Sequence, residues 1–306
     1  MNYLHVLTDF YSSLYSYNKI NNRLLSPIRR VVRSVANWVL PGYLSHSVRD
    51  SNHTKVQLPD VIVSLTSFPA RIDRVWMVVE CMRRQTVMPK KVILWLSKEQ
   101  FPDQNLPESL KKEIDDFFVV RFVDGDIRSH KKYYYVSKEY PDSYIILIDD
   151  DIFYSDRLVE RLWNSHVQYP EAVICSYAYR ISYGEDGTIQ SYSSWTPIYK
   201  SEISSKLFFG SGGGTLYKPS CLYEDLTNID LAIELTPIAD DIWLNTMVKL
   251  NDRKVFYAES GLILSIANDS PTLTSENVGA GRNDEQLNRI SNYYLSKMGK
   301  NPYDNK

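Results

Sequence analysis

The chain has 306 residues, of which 43% are hydrophobic and 24% are charged, and its formal net charge is −2. Three widely spaced cysteines without a CxxC pair argue against a disulfide framework and a zinc site. No apolar run approaches the roughly 20 residues that cross a bilayer, and no signal-peptide core is present, so we expect a cytoplasmic protein. The body of the chain is not basic, which argues against a nucleic-acid partner.

Residues 1–55 form a basic segment that is predicted to be helical. No acidic residue lies between Asp9 and Asp50, whereas six basic residues do: Lys19, Arg23, Arg29, Arg30, Arg33 and Arg49. Ser26–Pro27 has the pattern of a helix start, and Pro41–Gly42 has the pattern of a helix end. Between them one apolar stripe recurs at helical spacing, formed by Ile28, Val31, Val32, Val35 and Val39.

Two interpretations of this amphipathic helix are open. A helix with one apolar and one basic face can lie in the headgroup region of an anionic membrane, which predicts peripheral membrane contact through residues 24–40. Alternatively, the apolar stripe packs on the core of the protein itself and the basic face is solvated.

From residue 56 to residue 306 the pattern predicts one catalytic domain. Strands and helices alternate along the chain, which predicts βαβ units and a mainly parallel, Rossmann-like sheet flanked by helices. The predicted strands are residues 60–68, 91–97, 118–124, 143–148 and 172–176. The predicted helices are residues 72–79, 106–117, 131–140 and 157–166. Beyond residue 180 the pattern becomes irregular, and that half is predicted to form the acceptor side of a substrate cleft.

Three consecutive carboxylates end the fourth predicted strand. Asp149, Asp150 and Asp151 directly follow a run of apolar residues. Ligands of open α/β sheets bind at the carboxyl ends of such strands, and hard divalent cations take oxygen ligands. Asp149 and Asp151 would point to the same side of an extended segment, whereas Asp150 would point away and anchor the loop. The alternative is an Asx turn or a helix cap.

A second acidic pair and a glycine cluster follow in the irregular half. Asp240 and Asp241 precede an apolar helical face, where they serve catalysis or cap the helix. Gly210 and the run 212–214 would let the backbone approach a ligand closely, or form a flexible turn. They are not a phosphate-binding P-loop, because no Gly-Lys-Ser/Thr follows.

Taken in order, these motifs resemble those of family-2-like glycosyltransferases of GT-A fold, the bacterial enzymes that build capsule, exopolysaccharide or O-antigen chains. The resemblance covers about residues 58–265. Residues 63–72 resemble the first strand and nucleotide-contacting loop of the family, and Asp149–Asp151 resembles its Asp-x-Asp motif. Residues 209–217 resemble its glycine-rich acceptor loop, and residues 239–243 resemble the acidic motif that begins its catalytic helix.

The resemblance implies a metal-dependent transfer of a sugar from a nucleotide-sugar, UDP-linked in many relatives, to a lipid-linked or oligosaccharide acceptor. Asp151 and Asp149 would bind Mn²⁺ or Mg²⁺. In inverting relatives the second acid of this motif, here Asp241, is the general base, with Asp240 orienting it or binding acceptor hydroxyls. Retaining relatives need no base at this position, so the stereochemistry stays open. The implied donor-binding residues are Thr66, Ser67, Pro69, Arg71, Lys132, Asp149 and Asp150. The implied sugar-binding residues are Gly212, Gly213, Gly214 and Trp243.

The sequence departs from the family pattern in one respect. Many relatives have a further metal ligand, often histidine, after the catalytic helix, and no histidine follows Asp241 here. Asn268, Asp269, Asp284 or water would fill that position, although Asp284 has the pattern of a helix cap. Two other functions remain open: a sugar-nucleotide pyrophosphorylase, although residues 67–71 lack the glycines of its nucleotide loop, and an inactive glycan-binding scaffold.

Overall fold

The apolar runs that predict strands become neighbours in one large sheet. The computed structural model describes residues 2–16, 22–48, 56–259, 263–267 and 281–304. Within them the helices are α1 (Tyr3–Ser16), α2 (Asn22–His46), α3 (Val75–Arg83), α4 (Glu108–Lys111), α5 (Lys131–Glu139), α6 (Leu158–Gln168), α7 (Ile229–Leu235), α8 (Asp240–Leu250) and α9 (Arg282–Met298). The strands are β1 (Gln57–Thr66), β2 (Met88–Ser97), β3 (Phe118–Val123), β4 (Tyr144–Ile148), β5 (Ile152–Phe153), β6 (Val173–Cys175), β7 (Ala178–Arg180), β8 (Thr196–Pro197), β9 (Glu202–Ser204), β10 (Leu207–Phe209), β11 (Gly213–Tyr217), β12 (Val255–Tyr257) and β13 (Leu264–Ser265).

The large sheet is mainly parallel, as predicted. Its strand order is β3-β2-β1-β4-β11-β6-β12-β9. Strands β3, β2, β1 and β4 pair in parallel, and so do β6 and β12, whereas β11 and β9 run antiparallel to their neighbours. Two short sheets, β10-β7-β8 and β13-β5, lie outside it. The fold class, a Rossmann-like α/β domain, is therefore confirmed.

Helices cover both faces of the sheet because its central strands are apolar on both sides. Along β1, Val61, Val63 and Leu65 pack into one hydrophobic cluster and Ile62 packs into another. The first cluster includes side chains of α1, α2, α3 and α6. The second includes side chains of α5, α7, α8 and α9. This pattern of near-continuous burial is typical of strands in parallel sheets.

The N-terminal helices pack against each other and on the first of these faces. Arg33 of α2 donates a hydrogen bond to the hydroxyl of Tyr11 on α1 (3.0 Å), and the ring of Tyr43 contacts that of Tyr3, so the two helices are antiparallel. Side chains of both helices share one hydrophobic cluster with the sheet. The boundary predicted at residue 55 lies outside the described residues. No helix of the described residues is long and apolar enough to span a membrane.

Helix α2 differs from its prediction in length and in the face that it buries. It begins before Ser26 and continues through both Pro27 and Pro41. Its buried stripe is Val32, Ala36, Leu40 and Leu44, whereas Ile28, Val31 and Val35 are exposed. Burial of Leu40 and Leu44 holds the last turns against the body, which overrides the local stop pattern of Pro41–Gly42. Helix α2 therefore docks on the core, but through a stripe that shares only Val32 with the predicted one.

The helix predicted over residues 106–117 is a single turn, α4. The side chain of Asp115 accepts hydrogen bonds from the backbone N–H groups of Phe117 and Phe118, both at 2.9 Å. This local turn competes with helical hydrogen bonding, and it leads the chain directly into β3.

Candidate active site

The carboxylate triplet lies at the carboxyl end of β4, next to the end of β1. Asp150 is buried and accepts hydrogen bonds from the hydroxyl of Ser67 and from Nη1 of Arg71 (3.2 Å). Burial raises the pKa of Asp150, although both of these donors oppose the shift. Asp150 thus fixes the loop after β1 to the triplet, the anchoring role predicted for it.

Asp149 and Asp151 are the more accessible members of the triplet. Their side chains are 43% and 24% exposed, respectively. Nζ of Lys132 lies 2.9 Å from Oδ1 of Asp149, and Nη1 of Arg71 lies 2.8 Å from Oδ2 of Asp151. Burial, followed by repulsion from Asp149 and Asp150, raises the pKa of Asp151 to about 6. The site therefore concentrates negative charge that Arg71 and Lys132 offset only in part.

Lys132 joins the triplet to the second acidic pair. Its buried ammonium group also lies 3.2 Å from Oδ2 of Asp240, which accepts a 2.7 Å hydrogen bond from Ser211. Burial opposes a charge on Lys132, but Asp149 and Asp240 raise its pKa above the ordinary value. Burial also opposes a charge on Asp240, but Lys132, His130 and the hydrogen bond from Ser211 together lower its pKa. Lys132 thus places the two acidic motifs in one site.

Asp241 is the second residue of α8, and its environment differs from that of Asp240. One of its oxygens accepts the backbone N–H of Ile242 (2.9 Å), and its residue is partly exposed. Burial of the carboxyl group and repulsion from Asp240 raise the pKa of Asp241 to about 7. A carboxyl group with a pKa near neutrality is suited to accept a proton in a reaction.

The glycine-rich segment, residues 210–214, leads into the antiparallel strand β11 and lies against the carboxylate triplet. A Cβ atom on Gly212 would lie 1.7 Å from Oδ2 of Asp149, so only glycine fits beside this carboxylate. Tyr154 bridges the same two residues, because its hydroxyl accepts the N–H of Asp149 and donates to the carbonyl of Gly212. Sequence reasoning missed Tyr154, which carries no recognisable motif.

Three residues predicted to bind sugar lie elsewhere than expected. Gly213 and Gly214 are buried in β11 at the centre of the sheet, where Gly214 adopts a φ of +102°. The indole of Trp243 is buried in the core and donates to the carbonyl of Leu226 (3.1 Å). The prediction that Gly213, Gly214 and Trp243 bind sugar is therefore wrong, because all three are enclosed by other parts of the protein and leave no room for a sugar.

The remaining predicted donor residues lie around the end of β1. The hydroxyl of Thr66 donates to the carbonyl of Trp95 on the neighbouring strand (2.8 Å). Pro69 is exposed at the start of the turn that leads to Arg71. A contact of Thr66 or Pro69 with a nucleotide stays a prediction.

Three half-buried tyrosines form what we call the tyrosine ledge: Tyr177, Tyr179 and Tyr192. The hydroxyls of Tyr177 and Tyr179 are hydrogen-bonded, and the rings of Tyr179 and Tyr192 lie 6.3 Å apart. Burial, and then the nearby charge of Asp241, raises the pKa of Tyr192 well above its ordinary value. The sequence offers only a high tyrosine content, 23 residues, as an indication of this surface.

Asp284 holds the turn that carries Tyr192 of the ledge, and a role for it as a metal ligand stays a prediction. Its carboxylate accepts hydrogen bonds from the hydroxyl of Ser191 (2.8 Å) and the backbone N–H of Tyr192 (2.7 Å). It is not the helix cap, because Gly281 occupies that position. Asn268 and Asp269, the other candidates for a further metal ligand, lie outside the described residues.

The donor set at the triplet suits a hard divalent cation that binds together with a substrate. Among the described residues no group of three ligating side chains is assembled for a metal. Mg²⁺, however, is usually held by one or two carboxylates plus substrate phosphates and water. Asp149 and Asp151 are two accessible carboxylates with raised local negative charge, so the residues present fit such an ion.

Comparison with known proteins leaves the family open. No family model matches the chain, and no curated protein matches it. Solved structures with similar folds include 4-diphosphocytidyl-2C-methyl-D-erythritol synthase from Anaerococcus prevotii, at 14% identity and a TM-score of 0.41, covering 76% of this chain and 99% of that one. HddC from Yersinia pseudotuberculosis is 13% identical with a TM-score of 0.33, covering 53% of this chain and 77% of that one. Similarities at this level do not identify an activity.

Proposed function

We propose that this protein is a metal-dependent glycosyltransferase of GT-A type, which moves a sugar from a UDP-sugar to a lipid-linked or oligosaccharide acceptor. The observation that carries the proposal is the buried bridge of Lys132 between Asp149 and Asp240. One ammonium group thus contacts Asp149, of the carboxylate pair suited to a metal, and Asp240, which precedes the candidate base Asp241.

On the donor side, Asp149 and Asp151 would hold Mn²⁺ or Mg²⁺, with the diphosphate of the donor completing its coordination. When bound, the ion stabilises the negative charge that develops on the leaving diphosphate. Arg71 contacts Asp151, and its guanidinium group would also bind a phosphate of the donor. Asp150 and Ser67 keep the loop that carries Arg71 in place.

On the acceptor side, Asp241 would accept the proton of the attacking sugar hydroxyl. Its pKa of about 7 keeps a substantial fraction ionised at neutral pH and still allows it to hold a proton. Asp240, fixed by Lys132 and Ser211, stays ionised beside it and orients the start of α8. General-base help of this kind is typically worth about 10²–10⁴-fold in rate.

The tyrosine ledge would hold the acceptor sugar against Asp241. Tyrosine presents a flat apolar face with a polar tip, which matches the apolar face and hydroxyl edge of a pyranose ring. Asp284 fixes the turn that carries Tyr192 and therefore presets the ledge before an acceptor arrives.

The test is calorimetric titration of UDP, GDP and CMP into the purified protein, each with and without Mn²⁺, followed by release of UDP from UDP-sugars. We expect UDP binding that requires the metal and is lost in Asp151→Ala. The matched control is Asp142→Ala, because Asp142 is 86% exposed and lies apart from the triplet in sequence. Metal-independent nucleotide binding, or equal loss in both variants, would contradict the donor assignment.

A pyrophosphorylase would instead convert a sugar phosphate and a nucleoside triphosphate to a nucleotide-sugar and pyrophosphate. Formation of pyrophosphate without release of UDP would favour that function over sugar transfer. Metal-dependent UDP binding without turnover on any acceptor would favour a glycan-binding scaffold.

A further inference from the structure

The side of α2 that faces away from the body carries an apolar stripe that the described residues leave uncovered. This outer stripe consists of Ile28, Val31, Val35 and Trp38, which recur at helical spacing. Trp38 is 84% exposed and Val31 is 62% exposed. The opposite side of the helix is already buried against the body. Helix α2 therefore has two apolar stripes, and docking on the core accounts for only one of them.

Helix α1 repeats the arrangement. It buries Leu4, Tyr11 and Leu14 and exposes Tyr3, Val6 and Phe10. Seven of the fifteen exposed large apolar side chains found in the described residues lie on these two helices. Because α1 and α2 pack on each other over the body, the exposed stripe of α1, its outer stripe, belongs to the same two-helix layer as that of α2. Large apolar surfaces of this kind mark an interaction site.

The charges around the outer stripe indicate what the partner is. Arg30 and Arg33 are exposed at the level of Ile28 to Val35 along α2. The only acidic residue in the described part of the two helices is Asp9, whose carboxylate lies 3.4 Å from His5. The partner surface must therefore accept apolar side chains and supply negative charge.

We propose that the outer stripes of α1 and α2 dock on the surface of an anionic lipid bilayer. Aromatic and aliphatic side chains flanked by arginines match the boundary between acyl chains and negatively charged headgroups. A second copy of the chain fits less well. A two-fold interface places the same patch on both sides, so Arg30 and Arg33 would face a cationic patch.

Docking in this way would hold the catalytic body at the membrane without a membrane span. Asn37 of α2 bonds the carbonyl of Ser265 (3.1 Å) and the N–H of Ala267 (2.6 Å). Asn2, which directly precedes α1, donates to Asp156 (2.8 Å), in the segment after β5. The helices are thus fixed to the body on their inner side, and the proposal does not depend on which reaction the body catalyses.

Vesicle co-sedimentation of the full chain tests this directly. We expect partitioning onto vesicles that contain phosphatidylglycerol, weaker partitioning onto pure phosphatidylcholine, and a loss of the difference at high salt. Trp38→Ser should lower partitioning by about tenfold through lost apolar burial. Arg30→Gln should lower it by about fivefold, the effect of one cation near an anionic surface.

Two variants control for general changes of the surface. Val167→Ser removes an apolar side chain of α6 that is 66% exposed, and Lys90→Gln removes an exposed cation of β2; both should partition as the parent does. Sedimentation equilibrium without lipid should give one mass for parent and Trp38→Ser. The proposal is overturned by absence of binding to anionic vesicles, by equal losses in the control variants, or by a dimer that Trp38→Ser dissociates.

Discussion

Replacing Lys132 by methionine tests whether the two acidic motifs share one site. Methionine keeps most of the apolar stem and removes the ammonium group that lies 2.9 Å from Asp149 and 3.2 Å from Asp240. Asp240 is buried, so its negative charge would lose its nearest cation in a region of low dielectric. Asp149 is partly exposed, and water would compensate most of its loss.

The size of the effect follows from this difference between the two acids. Removing one partner of a buried ion pair typically costs about 3–5 kcal/mol, because the other charge is left uncompensated. Since only Asp240 is fully buried, we expect the lower end, about 3 kcal/mol at pH 7.5 without metal. In a chain of this size that corresponds to a fall in Tm of roughly 6 °C.

The pH dependence has a defined sign. In the parent the pKa of Asp240 is lowered, so the stability it contributes is present above its unfolded pKa and is lost as pH falls. Lys132→Met removes the largest of the causes that lower the pKa of Asp240, so that pKa rises. Asp240 then takes up a proton at mildly acidic pH, so the loss of stability should be smaller at pH 5 than at pH 7.5.

The loss of stability in Lys132→Met, and its dependence on pH, is measured by thermal unfolding in the presence of EDTA at pH 7.5 and at pH 5. The double variant Lys132→Met with Asp240→Asn should recover about 1.5–3 kcal/mol relative to the sum of the single changes. Lys138→Met, an exposed lysine on the same helix, is the control and should leave Tm nearly unchanged. Additive effects of the two substitutions, or a loss that does not depend on pH, would refute the bridge and with it the single site.

Three further predictions concern activity. Asp241→Asn should lower turnover by about 10²–10⁴-fold with donor binding retained. The activity of the parent should rise with pH through about 7, because the base loses its proton there. A flat pH–rate profile of the parent would contradict this role. Gly212→Ala should abolish metal-dependent UDP binding, because its Cβ would displace the carboxylate of Asp149, whereas Gly42→Ala, with open space around it, should not. Asp284→Ala should raise KM for the acceptor and leave calorimetric donor affinity unchanged; a change in donor affinity alone would contradict the ledge assignment.

Local patterns predicted most of the frame of the molecule. The apolar run that ends at Asp149 becomes β4, because a strand buried on both faces is continuously apolar. The apolar face after Asp241 becomes α8, because a helix buried on one face has apolar residues at helical spacing. Local patterns failed where tertiary contacts outweighed them. Packing of Leu40 and Leu44 carries α2 through Pro41, and the Asp115 turn cuts α4 to four residues.

The sequence by itself determined that acids stand at the end of a buried strand and at the start of a helix, and that a basic N-terminal segment is amphipathic. Only the tertiary structure shows that Lys132 contacts both acidic motifs and that a side chain at position 212 would overlap the carboxylate of Asp149. It also shows that Tyr192 of the tyrosine ledge lies close enough to Asp241 for that charge to raise its pKa. The reason is physical: hydrophobic period and cap patterns depend on neighbours along the chain. The pKa values and contacts of the site depend instead on charges and rings that are distant in sequence and come together only in the folded protein.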